Sequence, residues 1–169
     1  MGVNTSLNHA VVQGAGSALR MKARVFRKEC DNGGSSPRLL RRYTHSLLTQ
    51  ISQSAICNRF HPVDARLARW LLMTRDRMGA DEFQLTQEFL SNMLGTRREG
   101  VNKAAGLLQE QHLISYTRGA LTILNGAGLE AIACPCYGII KDEYDYLPPA
   151  IGARQSPSLV RIKSQPYAL

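Results

Sequence analysis

The sequence predicts an α+β fold that is mostly α-helical, and three stretches of the 169-residue chain lead to this prediction. Residues 37–58 have the apolar spacing of one long helix, and residues 85–109 that of two short helices about a tight turn. Residues 114–124 contain two short β-prone runs. The hydrophobic content of 44% is sufficient for a packed core.

The first short helix is predicted to begin after Thr86, a residue type that caps helix N-termini. Leu85 and Leu90 flank this position with the spacing of a hydrophobic staple. Gly95 follows the apolar face and suits a helix end that requires a positive φ.

The second short helix is predicted to begin at Arg97, because Thr96 and Glu99 have the spacing of a capping box. Its buried face is predicted from the spacing i, i+3, i+4, i+7 and comprises Val101, Ala104, Ala105 and Leu108. The polar residues that must then point elsewhere are Arg97, Arg98, Asn102 and Lys103.

These polar side chains suit the edges of DNA bases. Arg98 can bridge guanine O6 and N7, and Asn102 can pair with adenine N6 and N7. Lys103 can reach a guanine or a phosphate, and Glu99 can accept from cytosine N4 if the capping box does not use it. The alternative interpretation is a simple pair of antiparallel helices with solvated charges on its outer face.

The β-prone runs 114–117 and 121–124 favour the DNA-binding interpretation. Arg118, Gly119 and Ala120 separate them as a predicted three-residue loop, and Arg118 at its tip would face phosphates. Two helices followed by a hairpin predict a winged helix-turn-helix. The recognition helix is then 97–109, and the wing is 114–124.

The long helix at 37–58 has a regular apolar stripe formed by Leu40, Tyr43, Leu47, Ile51 and Ala55. No charged residue occurs from Tyr43 to Asn58, which is unusual for a surface helix. A helix of ~22 residues is ~33 Å long. It is either an ordinary core helix or a dimerisation helix that packs against its own copy.

Residues 37–133 resemble the C-terminal half of the Crp/Fnr-type transcription regulators. The resemblance is carried by LTQEFLSNMLGTRREGV, then LLQEQHLISYTRGALTIL, with RLARWLL upstream and Cys134-Pro-Cys136-Tyr near the end. It implies a homodimer that binds double-stranded DNA at an inverted repeat, with RNA polymerase as a further partner. No membrane partner is expected, because the sequence has no apolar span of 18 residues. By resemblance, Arg98, Glu99 and Lys103 match base-reading positions, and the pair Thr86 and Gln87 matches phosphate-contacting positions.

The resemblance also implies a domain organisation. Residues 1–36 would be a remnant of a cyclic-nucleotide-binding-like β-barrel sensor, followed by the dimerisation helix 37–58 and the winged helix-turn-helix 59–133. Residues 134–169 would be a partly disordered C-terminal extension. Because a ligand-enclosing barrel needs about eight strands, we expect no effector pocket, no bound cofactor and no effector response. Residues 1–36 are either the product of truncation or part of a true short form.

Outside the motif, a strand is predicted at 9–13, a basic helix at 22–30 and a helix from about 125 to 144. A solvated basic face is predicted for five arginines on either side of the break at His61-Pro62. Its residues are Arg59, Arg66, Arg69, Arg75 and Arg77.

The net charge of +8 suits a polyanionic partner, although the basic residues are concentrated outside the motif. Residues 20–77 contain 13 Lys/Arg against 4 Asp/Glu, and residues 78–133 contain 4 against 6. Specific recognition depends on individually positioned side chains and not on bulk charge, so the helix-turn-helix motif remains the predicted DNA-binding site.

The four cysteines, Cys30, Cys57, Cys134 and Cys136, do not have the spacing of a zinc motif. We expect reduced thiols and no metal, with a redox or metal-sensing pair at Cys134 and Cys136 as the alternative. No catalytic motif is present, so the prediction is a cytoplasmic regulator and not an enzyme. The alternative function is a protein-interaction module that uses the same scaffold without binding DNA.

Overall fold

The computed structural model describes residues 5, 12, 16–33, 35–147 and 159–162. The chain forms two compact units, one from residues 1–32 with 150–169 and the other from residues 33–149.

Among its described residues, the first unit contains a two-stranded antiparallel sheet and one helix. Strand β1 (Gly16–Leu19) pairs with β5 (Leu159–Ile162), and α1 spans Ala23–Asp31. The basic helix was therefore predicted correctly. The C-terminal extension was predicted to be partly disordered, and its described residues 159–162 form β5. This strand was not predicted, because its pairing partner β1 is far away in the chain and leaves no local signal. The strand predicted at 9–13 lies outside the described residues, apart from Val12.

The second unit contains six helices and a three-stranded sheet among its described residues. The long helix α2 (Ser35–Phe60) precedes α3 (Val63–Met78) and strand β2 (Glu82–Gln84). The helix pair is α4 (Gln87–Leu94) and α5 (Arg98–Glu110), and the hairpin is β3 (Ile114–Thr117) and β4 (Ala120–Ile123). The chain then forms α6 (Gly126–Ile132) and α7 (Cys136–Asp145).

The sheet has the antiparallel order β2-β4-β3, so the strand before the helix pair joins the hairpin. The core lies between this sheet and helices α3 to α6. Its fully buried side chains include Leu67, Leu71, Leu90, Leu108 and Leu121. The α+β, mostly α fold class is confirmed.

The region after the hairpin differs from its prediction. The single helix expected from about 125 to 144 is broken into α6 and α7, because Cys134-Pro135 cannot continue a helix. Helix α7 packs against α2 and α3, with Cys136, Tyr137 and Ile140 buried. Residues 134–145 therefore belong to the packed unit and are not an appended extension.

The solvated basic face predicted on α3 is wrong at two positions. Arg66 and Arg69 are only 5% and 6% exposed. The Arg66 guanidinium donates to the backbone carbonyl of Leu94 and, over 2.7 Å, to Asn58 Oδ1. Arg69 Nη1 lies 3.2 Å from the sulfur of Met73. Arg66 therefore satisfies a carbonyl that the end of α4 leaves without an intrahelical partner.

Among the described residues, no helix is long and apolar enough to cross a membrane.

Candidate nucleic-acid interface

The entrance of α4 is fixed by a side-chain cap. Thr86 has extended backbone angles, and its Oγ1 accepts a hydrogen bond of 3.1 Å from the N–H of Phe89. Leu85 and Leu90 are buried on either side of this cap. The predicted start of the helix is therefore confirmed, and Thr86 and Gln87 lie exposed at its positive end.

The turn between the helices is tight because Gly95 adopts the left-handed conformation, at φ 57°. The predicted capping box is wrong. Arg97 occupies the N-cap of α5, and its side chain makes no capping hydrogen bond. Thr96 instead lies over Gly100, where an added Cβ would come within 2.9 Å of Thr96 Oγ1. Glu99 is thus free of the cap and exposed.

Helix α5 has two distinct faces. The four residues predicted to be buried are Val101, Ala104, Ala105 and Leu108, and all are at most 4% exposed. The side chains of this helix end that were predicted to bind DNA are all exposed, and they are Arg97, Arg98, Glu99, Asn102 and Lys103. They occupy the first two turns of α5 and the residue before it.

The wing turns more sharply than predicted. Thr117 pairs with Ala120, so the loop has two residues, Arg118 and Gly119, and not three. Their φ values are 51° and 87°, the pattern of a type I′ turn, whose twist matches that of the strands. Arg118 is exposed at the tip, as predicted.

An open cleft of about 340 Å³ separates the helix pair from the wing. Its lining includes the N-terminal residues of α4, Arg98 and Tyr116, with Arg118 and Gly119 at the wing side. Within it, Arg98 Nη2 lies 2.6 Å from Glu88 Oε2. Both side chains are about 60% exposed, so water screens this pair strongly. Sequence reasoning identified Arg98 and missed its carboxylate partner, although both are polar residues of adjoining first turns.

The predicted dimerisation stripe on α2 is exposed in the single chain. Its residues are Leu40, Tyr43, Leu47, Ile51 and Ala55. The inner face of the same helix carries the buried residues Ser46 and Cys57. Ser46 Oγ donates over 3.0 Å to the carbonyl of Glu143 in α7. The stripe therefore does not belong to the core of its own chain.

A second group of functional side chains was missed by sequence reasoning. Cys57, His61, Cys134 and Cys136 have ligand atoms that lie within 4.8 Å of one another. Burial is the largest effect on Cys57 and Cys134 and raises the pKa of both thiols. The signal in the sequence was Cys57-x₃-His61, one helical turn apart, but its partners lie more than 70 residues later.

The fold and the exposed helix face define a winged helix-turn-helix domain. Residues 65–132 match the family of the Crp-like helix-turn-helix domain. The match identifies this segment, and not the whole chain, as similar to that domain. No curated protein sequence matches the chain.

Solved structures with a similar fold include a protein from Eubacterium rectale assigned to the Crp/Fnr family of transcriptional regulators. It is 22% identical with a TM-score of 0.50, over 65% of this chain and 51% of that one. A CRP-family transcriptional regulator from Thermus thermophilus is 20% identical with a TM-score of 0.44, over 67% and 55%. The catabolite activator protein of the same organism is 22% identical with a TM-score of 0.40, over 65% and 52%. The chain thus spans about half the length of these proteins.

Proposed function

We propose that the protein is a homodimeric, sequence-specific DNA-binding transcription regulator and not an enzyme. The observation that carries the proposal is the two-faced character of α5. One face is anchored by residues at most 4% exposed, and the other presents guanidinium, carboxylate, amide and ammonium groups within two turns. These are the groups that distinguish base pairs in the major groove.

The proposed docking places the first turns of α5 in the major groove. Arg98 would bridge O6 and N7 of a guanine, and Asn102 would pair with an adenine. Glu99 is not used as a cap, so it is available to accept from a cytosine amino group. Lys103 would reach a guanine or a phosphate.

The flanking elements would contact the sugar–phosphate backbone. Thr86 and Gln87 stand at the N-terminus of α4, where free N–H groups and the helix dipole favour an anion. Arg118 at the wing tip and Arg97 at the start of α5 would contact phosphates on either side. Such contacts add affinity without sequence information and make binding sensitive to salt.

The exposed stripe on α2 supports a dimer. Its large members Leu40, Tyr43 and Ile51 are 43%, 45% and 57% exposed, and burying this apolar surface against a second copy is favourable. A helix of 26 residues is ~39 Å long, which suffices for a two-helix interface. Two-fold symmetry would place two recognition helices about one DNA turn apart on an inverted repeat.

The test of DNA recognition is selection of bound duplexes from a random library, followed by titration of the selected duplex. We expect Arg98→Ala to weaken binding by roughly 1–3 kcal/mol and to relax the preference at one base pair. Arg41→Ala, which removes the same charge from an exposed position on α2, is the control. Equal affinity for selected and scrambled duplexes, unchanged by Arg98→Ala, would favour a protein-interaction module instead.

The test of dimerisation is sedimentation of the Leu47→Glu and Ile51→Glu variants. We expect these variants to sediment as monomers and to lose cooperative binding to the inverted repeat. Ser52→Glu adds the same charge to an exposed position beside the stripe and should remain dimeric. A dimer that survives both stripe substitutions would contradict this interface.

A further inference from the structure

A buried cluster of three thiols and one imidazole lies at the junction of α2, α3 and α7. Cys57 is in the last full turn of α2, and His61 follows it at i+4. The backbone N–H of His61 donates to the Cys57 carbonyl over 3.1 Å. Cys134 lies before Pro135, and its N–H faces the carbonyl of Ala65 in α3. Cys136 begins α7. The cluster therefore joins elements that are far apart in the chain.

The distances within the cluster approach those of a tetrahedral zinc centre. Cys57 Sγ lies 3.3 Å from Cys134 Sγ and 3.5 Å from His61 Nδ1, and Cys136 Sγ lies 3.7 Å from the same nitrogen. Bonds of about 2.3 Å to sulfur and about 2.0–2.1 Å to nitrogen place sulfur ligands of a tetrahedron about 3.8 Å apart. The same bonds give sulfur–nitrogen separations of about 3.5 Å. All four atoms lie within 4.8 Å of one another, which suits a single ion.

The charges around the cluster favour an anionic centre. Arg66 and Arg69 are buried beside the thiols, and each interacts electrostatically with both Cys57 and Cys134. Within the described part of the chain, neither guanidinium has a carboxylate partner. Buried charges are normally paired. Zn²⁺ with three thiolates and a neutral imidazole carries a net charge of −1, which would compensate one of these two positive charges.

A disulfide explains the cluster less well. The sulfurs of Cys57 and Cys134 are 3.3 Å apart, against about 2.05 Å in a disulfide, and all four cysteines are free. A disulfide would also use only two of the four groups. It would leave the position of His61 against both Cys57 and Cys136 without a role.

We propose that the chain binds one zinc ion in a closed structural site whose ligands are Cys57, His61, Cys134 and Cys136. Binding displaces three thiol protons to solvent, leaves the imidazole neutral and involves no change of oxidation state. The ion would fasten the end of α2 to the start of α7. It would thereby set the direction in which the long helix leaves the helix-turn-helix domain, whether or not that helix forms a dimer.

The test begins with the full chain purified under reducing conditions without chelator. We expect about one zinc per chain by elemental analysis, as in a four-ligand structural site. Replacement by Co²⁺ should give the intense visible bands of tetrahedral cobalt together with a thiolate-to-cobalt charge-transfer band. These measurements use the unmodified protein, so they do not depend on whether a variant folds.

Variants identify the ligands. Cys57→Ser and Cys136→Ser should abolish stoichiometric zinc, whereas Cys30→Ser, outside the cluster, should retain it. His61→Ala should weaken zinc binding by at least the roughly 10–100-fold that loss of an outer-shell partner costs. His61→Cys should restore binding and shift the cobalt bands, which a merely structural role for His61 would not produce.

The outcomes that overturn the proposal are equally specific. One is a reduced chain whose zinc content equals that of the Cys57→Ser and Cys136→Ser variants. Another is a cobalt spectrum without thiolate charge transfer. A third is a Cys57–Cys134 disulfide in freshly isolated protein that takes up no zinc after reduction, which would identify a redox pair. None of these results depends on whether the protein binds DNA.

Discussion

Tyr116 in the wing donates a hydrogen bond of 2.8 Å from its hydroxyl to the backbone carbonyl of Leu85, the residue before the cap of α4. The N–H of Leu85 donates to the carbonyl of Gly119 over 2.7 Å. Both polar groups of the Leu85 backbone are therefore satisfied by the wing. These bonds hold the wing tip at a fixed place beside the entrance of the helix pair.

Tyr116→Phe should lower the free energy of unfolding by about 1–3 kcal/mol, because it leaves the half-buried carbonyl of Leu85 without its partner. Urea denaturation at neutral pH measures this change. Tyr146→Phe, at a side chain that is 72% exposed, is the matched control and should change stability by no more than about 0.5 kcal/mol. Equal effects of the two substitutions would contradict the role of Tyr116.

The same tyrosine should make stability depend on pH in the alkaline range. Burial raises the pKa of Tyr116, whereas in the unfolded chain it titrates near its ordinary value of about 10. Above that pH the unfolded state loses the phenolic proton before the folded state does, so the contribution of Tyr116 decreases as pH rises. Urea titrations at about pH 8 and about pH 11 should show the advantage of the wild type over Tyr116→Phe shrinking. A constant difference would oppose this linkage.

Arg118→Asn should separate stability from DNA binding. Arg118 has a φ of 51°, which costs an ordinary side chain roughly 1–2 kcal/mol, and Asn tolerates this conformation. Asn followed by Gly119 is also the preferred pair for a type I′ turn. We therefore expect a higher melting temperature together with weaker DNA binding and a salt dependence reduced by about one phosphate contact.

The control for that experiment is Arg118→Lys, which keeps the charge and the strained backbone. It should keep both the melting temperature and most of the affinity. If Arg118→Asn bound DNA as tightly as the wild type, the wing tip would have no phosphate contact. Strain retained at this position would then have no functional explanation.

The sequence predicted those parts of the domain that local rules govern. The cap at Thr86, the turn at Gly95 and the buried face of α5 follow from residue type and helical periodicity, and all three are confirmed. The prediction of a capping box at Thr96 is wrong, because this side chain lies over Gly100. Residue spacing does not reveal that contact. The predicted three-residue length of the wing loop is wrong, because alanine has no strong preference between strand and loop. Ala120 belongs to the strand because it pairs with Thr117.

Arg66→Ala should lower the free energy of unfolding by about 1–3 kcal/mol or more. The substitution removes the hydrogen-bond donor to the Leu94 carbonyl. This carbonyl lies at the end of α4, is buried in the domain and would be left without a partner. Arg59→Ala, at an exposed arginine, is the control and should stay within about 0.5 kcal/mol of the wild type. Denaturant unfolding of both variants measures the two free energies. Similar values would mean that water can replace Arg66 as the donor to the Leu94 carbonyl.

The buried arginines and the cysteine cluster could not be predicted from the sequence. Arg66 and Arg59 are the same residue type on successive helices, and nothing local distinguishes a buried guanidinium from a solvated one. Cys57 and Cys134 lie 77 residues apart in the chain and become neighbours only because α7 packs on α2 and α3. Such long-range contacts depend on the packing of whole elements, which periodicity does not encode.

Glu88→Gln should strengthen DNA binding without a comparable effect on stability. The pair between Glu88 and Arg98 is exposed, so its loss should change the free energy of unfolding by at most about 1 kcal/mol. In the proposed complex, Arg98 must leave Glu88 to reach a base, and the Glu88 carboxylate must lie close to phosphates. Removing that charge should raise affinity by up to about fivefold, equivalent to about 1 kcal/mol.

Glu110→Gln is the control, because Glu110 ends α5, is exposed and has no ion pair within the described residues. Fluorescence anisotropy with the selected duplex at fixed salt measures both variants. An equal gain from Glu110→Gln would reveal a general effect of net charge, and a loss of affinity from Glu88→Gln would show that the carboxylate positions Arg98 for binding.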